Sequence, residues 1–166
     1  VSRIPVRYIE AADHRYRVKI HGLCGGHSGA EIDKIRANAV ILMGRFLFEL
    51  REHVGYLLSE LKGGLKDNAI PREASALLML PKEEEERLFE AAAGFQEALQ
   101  KEYAGTDEGI TVTVERQGMG TEPALHPGSL EKVIFYLMHI PNGILKMSGT
   151  IPGLVESSTN LGILEL

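Results

Sequence analysis

The chain has 166 residues, 44% of them hydrophobic, enough for one domain with a real core. Eighteen lysines and arginines against twenty-three aspartates and glutamates give a net charge of −5, which speaks against a nucleic-acid partner. No apolar run approaches the length of a membrane span, and the single cysteine, Cys24, allows neither an intrachain disulfide nor a Cys-x-x-Cys metal site.

Ile4, Val6 and Tyr8 alternate with Arg3, Pro5 and Arg7 and read as an edge strand that tolerates proline. Asp13 and His14 read as a turn. Beyond them Tyr16, Val18 and Ile20 alternate with Arg17 and Lys19, the period of a half-buried strand. The run from Gly22 to Gly29 then turns the chain into a helix, with Ser28 and Glu31 at the spacing of a capping box. That helix is expected from about Ala30 to about His53, with Ile32, Ile35, Ala39, Leu42, Phe46 and Leu50 on one face. Val40, Ile41, Met43, Leu47 and Phe48 widen the face, so more than one neighbour is expected to cover it, its own sheet and a second subunit being the candidates. His27 falls just outside the expected helix mouth, where unpaired N–H groups favour negative charge. It is therefore a candidate for binding an anion or a developing oxyanion, unless it merely occupies a common glycine-rich turn.

Tyr56 to Leu61 reads as a strand, Gly63-Gly64 as a turn, and Ser75 to Leu80 as an apolar run. Pro81 and the acidic residues Glu83 to Glu86 open a second helix that buries Leu88, Ala92, Phe95 and Leu99. Ile110 to Glu115 is a further strand. The order βαββαβ, with antiparallel strands and both helices on one face, is the α+β, ferredoxin-like arrangement. A loop from Gly118 to Gly128, a third helix of about Leu130 to Met138, and strands at Ile144 to Met147 and Val155 to Leu166 extend it. The last strand opens a set of elements that nothing completes, and Val1 is no initiator Met; both lead us to expect a segment excised from a longer protein.

Four blocks in order, Gly22 to Ala39 (GLCGGHSGAEIDKIRANA), Asn68 to Ala74 (NAIPREA), Pro141-Asn142-Gly143 and Gly153 to Gly162 (GLVESSTNLG), give the chain a family resemblance. It resembles the aminoacyl-histidine dipeptidases, carnosinase-like members of the zinc-dependent exopeptidase family that also includes acetylornithine and succinyl-diaminopimelate deacylases. The blocks match the family's lid, or dimerisation, domain over nearly the full chain. The resemblance implies residues 1–166 as a single lid domain of a cytoplasmic metallodipeptidase acting on Xaa-His and related dipeptides. Its implied partners are a separate catalytic domain, a second copy in a homodimer and the dipeptide substrate. Nucleic acid and membrane are not among them.

In the family, two divalent metals, usually zinc, sit in that catalytic domain. None of its ligand motifs occurs here, and His14, His21, His53, His126 and His139 show no metal-ligand spacing. The expectation is no metal site and no cofactor in this segment, and no hydrolysis by it alone. His27 matches the family histidine that stabilises the oxyanion when the lid closes. Asn68 matches an asparagine that binds substrate polar groups, and Asn160 is the remaining candidate for substrate binding. Many relatives place a substrate-clamping arginine fourteen residues after that asparagine, where this chain has Lys82. Arg72 and Lys146 are weak substitutes. Cys24 is read as incidental. The competing reading is a free-standing ferredoxin-like interaction or small-molecule-sensing module without catalysis.

Overall fold

The computed structural model describes all of residues 1–166. Its strands are β1 (Tyr8–His21), β2 (Gly26–His27), β3 (Leu57–Gly63), β4 (Ala69–Ile70), β5 (Ala74–Leu80), β6 (Thr111–Leu125), β7 (Gly143–Met147), β8 (Val155–Thr159) and β9 (Leu164–Glu165). Its helices are α1 (Ala39–Leu50), α2 (Glu85–Glu102) and α3 (Pro127–His139). The main sheet has five strands in the order β6-β1-β5-β3-β9, every pairing antiparallel. Strands β6-β1-β5-β3 with α1 and α2 make the ferredoxin-like unit. A third helix, the β7–β8 hairpin and the short β9 extend it.

Alternation along β1 and β5 sends one set of side chains toward the helices. Tyr16, Val18 and Ile20 join Ala74, Ala76, Leu78 and Leu80 in one core cluster with residues of α1, α2 and α3. On the other face Arg17 pairs with Glu60 at 3.0 Å. Both stand beside Leu77 in the ladder, so the ion pair covers a side chain that no helix reaches. The second helix buries Leu88, Ala92, Phe95 and Leu99, the four residues its periodicity predicts.

Several expectations are corrected. Asp13 and His14 are not a turn, and the strand starts at Tyr8 instead of Ile4. Continuous pairing with β6, Asp13 opposite Gly120 and His14 opposite Met119, holds them extended. The stretch from Gly118 to Leu125 is likewise strand and not loop, with Gln117 an extra residue at a bulge and Gly118 at φ 73°. The third helix starts three residues early, at Pro127, and the final strand divides into β8 and β9.

The largest correction concerns α1. It begins at Ala39, and the residues after the glycine run form only a short turn and one 3-10 turn, Ile32–Lys34, that ends at Ile35 in the left-handed region (φ 51°). Asn38, not Ser28, caps the helix: its Oδ1 accepts the N–H groups of Val40 and Ile41 at 3.0 and 3.3 Å. The wide apolar girth of α1 is absorbed within the chain by the sheet, α2 and α3, burying Val40, Leu42, Met43, Phe46, Leu47 and Leu50.

Candidate functional site

His27 lies in β2, a two-residue strand paired antiparallel with β4, with His27 opposite Ala69 and Gly26 opposite Ile70. Its backbone N–H donates to Glu31 Oε2 at 2.9 Å, while the N–H of Ser28 goes to Asn68 O and that of Glu31 to His27 O, so the expected capping box between Ser28 and Glu31 does not form. The Glu31 carboxyl is pulled down to about 2, chiefly by Lys34 and then by the His27 N–H. It therefore stays an anionic anchor for the His27 backbone throughout the neutral range.

The imidazole is exposed and held at one nitrogen. Nδ1 accepts the backbone N–H groups of Gly29 and Ala30 at 3.0 and 3.1 Å. A nitrogen that accepts cannot carry the ring proton, so the proton sits on Nε2. Nε2 has no partner in the chain. The ring is thus a fixed N–H donor facing solvent, and the donor's direction comes from a tight turn, not from an α-helix dipole.

The turn is braced from below. Asp107, fully buried, accepts the N–H of Cys24 at 2.7 Å and of Ala37 at 3.0 Å, joining the glycine run to the approach to α1. Arg72 donates from Nε to Leu23 O at 3.1 Å and packs on Gly25, where a Cβ would fall 2.3 Å from its Cγ. Gly25, at φ 66°, is required there for both reasons. The Cys24 thiol is exposed, and its hydrogen bond to Asp107 pushes its pKa up, away from the thiolate a nucleophile needs.

Asn68 and Asn160 come to the same end of the molecule. The N–H of Ser28 donates to Asn68 O at 3.0 Å, directly beside His27, and the Asn68 side chain is exposed. Asn160 donates from Nδ2 to Ala69 O at 2.8 Å and accepts at Oδ1 from Asn38 Nδ2 at 3.2 Å. Lys82 does not come: register puts Ala74 opposite Ile20 at the His27 end of β5 and Leu80 opposite His14 at the far end, so Lys82 lies remote and bound to Glu85 at 2.7 Å. Lys146 pairs with Glu156 on the hairpin at 2.9 Å.

No three His, Cys, Asp or Glu side chains converge to hold a metal ion, so this chain offers no donor set for one. A groove of about 810 Å³ lies on the helix-free face of the sheet, lined in part by Lys19, His21, Lys62, Ser75, Glu115 and Glu165. It includes none of His27, Asn68 or Asn160. No helix is long and apolar enough to cross a membrane.

Two residues at this end escaped the sequence reading. Asn38 immediately precedes an apolar run, the N-cap position, but Ser28 and Glu31 offered a competing signal ten residues earlier. Asp107 lies in a loop of small and polar residues and carries no local mark of its burial.

Residues 18–107 match the family described as Peptidase dimerisation domain. The chain is 31% identical over 158 residues to the cytosol non-specific dipeptidase of Escherichia coli, an alignment covering 95% of this chain and 32% of the relative. The crystal structure of aminoacylhistidine dipeptidase from Vibrio alginolyticus superposes with a TM-score of 0.88 at 32% identity, covering 99% of this chain and 32% of that one. The chain spans about a third of the length of these relatives.

Proposed function

Because the chain belongs to the peptidase dimerisation domain family, we propose that it is the lid and dimerisation domain of a cytoplasmic, metal-dependent dipeptidase acting on Xaa-His and related dipeptides. The observation that carries this reading is His27, an exposed imidazole whose Nδ1 is tied down and whose Nε2–H points outward. The names of the two relatives, a cytosolic dipeptidase and an aminoacylhistidine dipeptidase, support the substrate class and the compartment.

Peptide hydrolysis passes through a tetrahedral species whose oxygen gains negative charge, and a donor already aimed at that oxygen lowers the barrier. In this proposal His27 donates from Nε2 to that oxygen. The Asn68 carboxamide binds the peptide's terminal carboxylate or a carbonyl, since it can donate and accept. Asn160 contributes the one N–H and one lone pair that its internal bonds leave free. The divalent metals, zinc in the family this chain resembles, would supply an activated water, and they belong to a catalytic domain outside these 166 residues. The lid meets that domain on closure, in a homodimer.

The test compares this 166-residue chain with the full-length protein on Xaa-His dipeptides. Hydrolysis is expected from the full-length protein and none from the chain by itself. Turnover by the isolated chain, or none by the metal-loaded full-length protein, would reject the reading.

A further inference from the structure

Three of the four sequence blocks that mark this chain meet at one side chain, Asn38, which is 4% exposed. Its Oδ1 is committed to the N–H groups of Val40 and Ile41, which fixes the orientation of the amide. Nδ2 must then face the opposite way. It lies 3.2 Å from Asn142 Oδ1 of the Pro-Asn-Gly block, 3.2 Å from Asn160 Oδ1 and 3.1 Å from Leu161 O of the last block. Asn142 Oδ1 also accepts the N–H of Leu161 at 3.0 Å, which closes the cluster.

From there the connection reaches the candidate site in two steps. Asn160 Nδ2 donates to Ala69 O, and Ala69 is both the neighbour of Asn68 and the cross-strand partner of His27. A second tie runs from the same helix end, where the N–H of Ala39 donates to Pro71 O at 3.1 Å. The β2–β4 pair has only two residues on each strand and little to hold it by itself. We infer that Asn38 is a positioning residue, whose amide, acting through Asn160 and Ala69, sets the relation between the His27 ring and the Asn68 side chain. A cap alone needs only an acceptor, and Asp, Ser or Thr would serve it as well. The two amide protons, shared among three oxygens from two other blocks, are what an asparagine adds.

This inference rests on the functional reading above for its enzymatic arm but not for its structural one. Asn38→Asp keeps an acceptor for the cap and removes the donors. In the full chain, hydrogen exchange at the amides of Ser28 and Leu161 should accelerate at least about tenfold, while the amides of α1 stay protected. Asn160→Ala cuts the same path without touching the cap, and should also release Ser28; this variant decides the matter if Asn38→Asp does not fold. Unchanged exchange at Ser28 in a folded variant overturns the proposal. In the full-length enzyme, Asn38→Asp should lower kcat up to about 10²-fold, the scale of a misplaced catalytic group. The same substitution in a His27→Ala background should lower it no further, because the geometry being protected is gone. Equal losses in both backgrounds would overturn the positioning role. Absence of dipeptide turnover by the unsubstituted enzyme would instead reject the dipeptidase reading, and the exchange result would still decide the role of Asn38.

Discussion

His27 Nδ1 accepts the backbone N–H of Gly29 at 3.0 Å, a local bond that decides which ring nitrogen faces the solvent. The neutral ring carrying its proton on Nε2 is the only form that keeps this bond. Nitrogen NMR of the neutral imidazole should therefore show the proton on Nε2 and not on Nδ1. In the full-length enzyme, His27→Ala should lower kcat by about 10²–10³, the usual cost of losing one oxyanion donor, with metal content unchanged. Turnover equal to the parent would reject the role.

Asn68 is exposed in its side chain and fixed in its backbone by Ser28, so truncating it should harm binding more than folding. Asn68→Ala is expected to raise KM for dipeptides by about tenfold, one hydrogen bond's worth to a charged group, with little change in melting temperature. A KM within twofold of the parent would remove Asn68 from the site.

Gly22 opens the glycine run at φ 80°, and a Cβ there would lie 2.1 Å from the carbonyl oxygen of Gly109. The obstacle is backbone, which cannot rotate aside. Gly22→Ala should cost about 1–3 kcal/mol from strain, more if β1 and the loop before β6 must part. Chemical denaturation measures it, and a midpoint equal to the parent's would contradict the close approach.

How much of this was legible follows the burial. Tyr16, Val18 and Ile20 announce a strand because one face is sealed by helices and the other is wet, which forces alternation. Tyr8 to Ala12 and most of Arg116 to Pro123 form a ribbon largely exposed on both faces, so nothing obliges the sequence to alternate and the strand leaves no periodic trace. The start of α1 was missed because two capping signals compete, Ser28 with Glu31 and Asn38. Only the tertiary environment, the oxygens of Asn142, Asn160 and Leu161 around the second, decides between them. His27 and Asn68 stand out in the sequence as candidates. Their juxtaposition is not legible there, since it depends on pairing His27 with Ala69, 42 positions away in sequence.

Gly44 sets a packing distance between α1 and α3. A Cβ there would fall 2.6 Å from the Cβ of Leu137. Two effects oppose each other in Gly44→Ala: better helix propensity contributes about 1 kcal/mol, while overpacking a dense contact costs about 1–3 kcal/mol. The clash involves a Cβ, which no rotamer change can move, so the variant should melt below the parent. Adding Leu137→Ala leaves that Cβ in place and also opens a cavity, so the double variant should melt lower still. A rise in melting temperature for Gly44→Ala would show that the helices are free to separate.

Acid stability depends on Glu85, which ties the start of α2 to the sheet. Its carboxylate accepts Arg116 Nε and Nη2, each at 2.9 Å, Lys82 Nζ at 2.7 Å and the Tyr16 hydroxyl at 2.9 Å. Arg116 first and then Lys82 hold the carboxyl down at about 2, and burial followed by the Glu85 hydrogen bond pushes the Tyr16 hydroxyl up to about 12. The folded state therefore binds this proton more weakly than the unfolded chain, where an ordinary glutamate titrates near ~4.3. The contribution is complete above that value and is lost as pH falls toward 2. Thermal midpoints measured from pH 6 down to pH 2.5 should fall more steeply in the parent than in Glu85→Gln, whose midpoint starts lower and has less left to lose. Parallel curves would mean that the Arg116 and Lys82 contacts carry no pH-dependent stability. The tyrosine adds nothing to this window, because its hydroxyl stays protonated throughout and only donates.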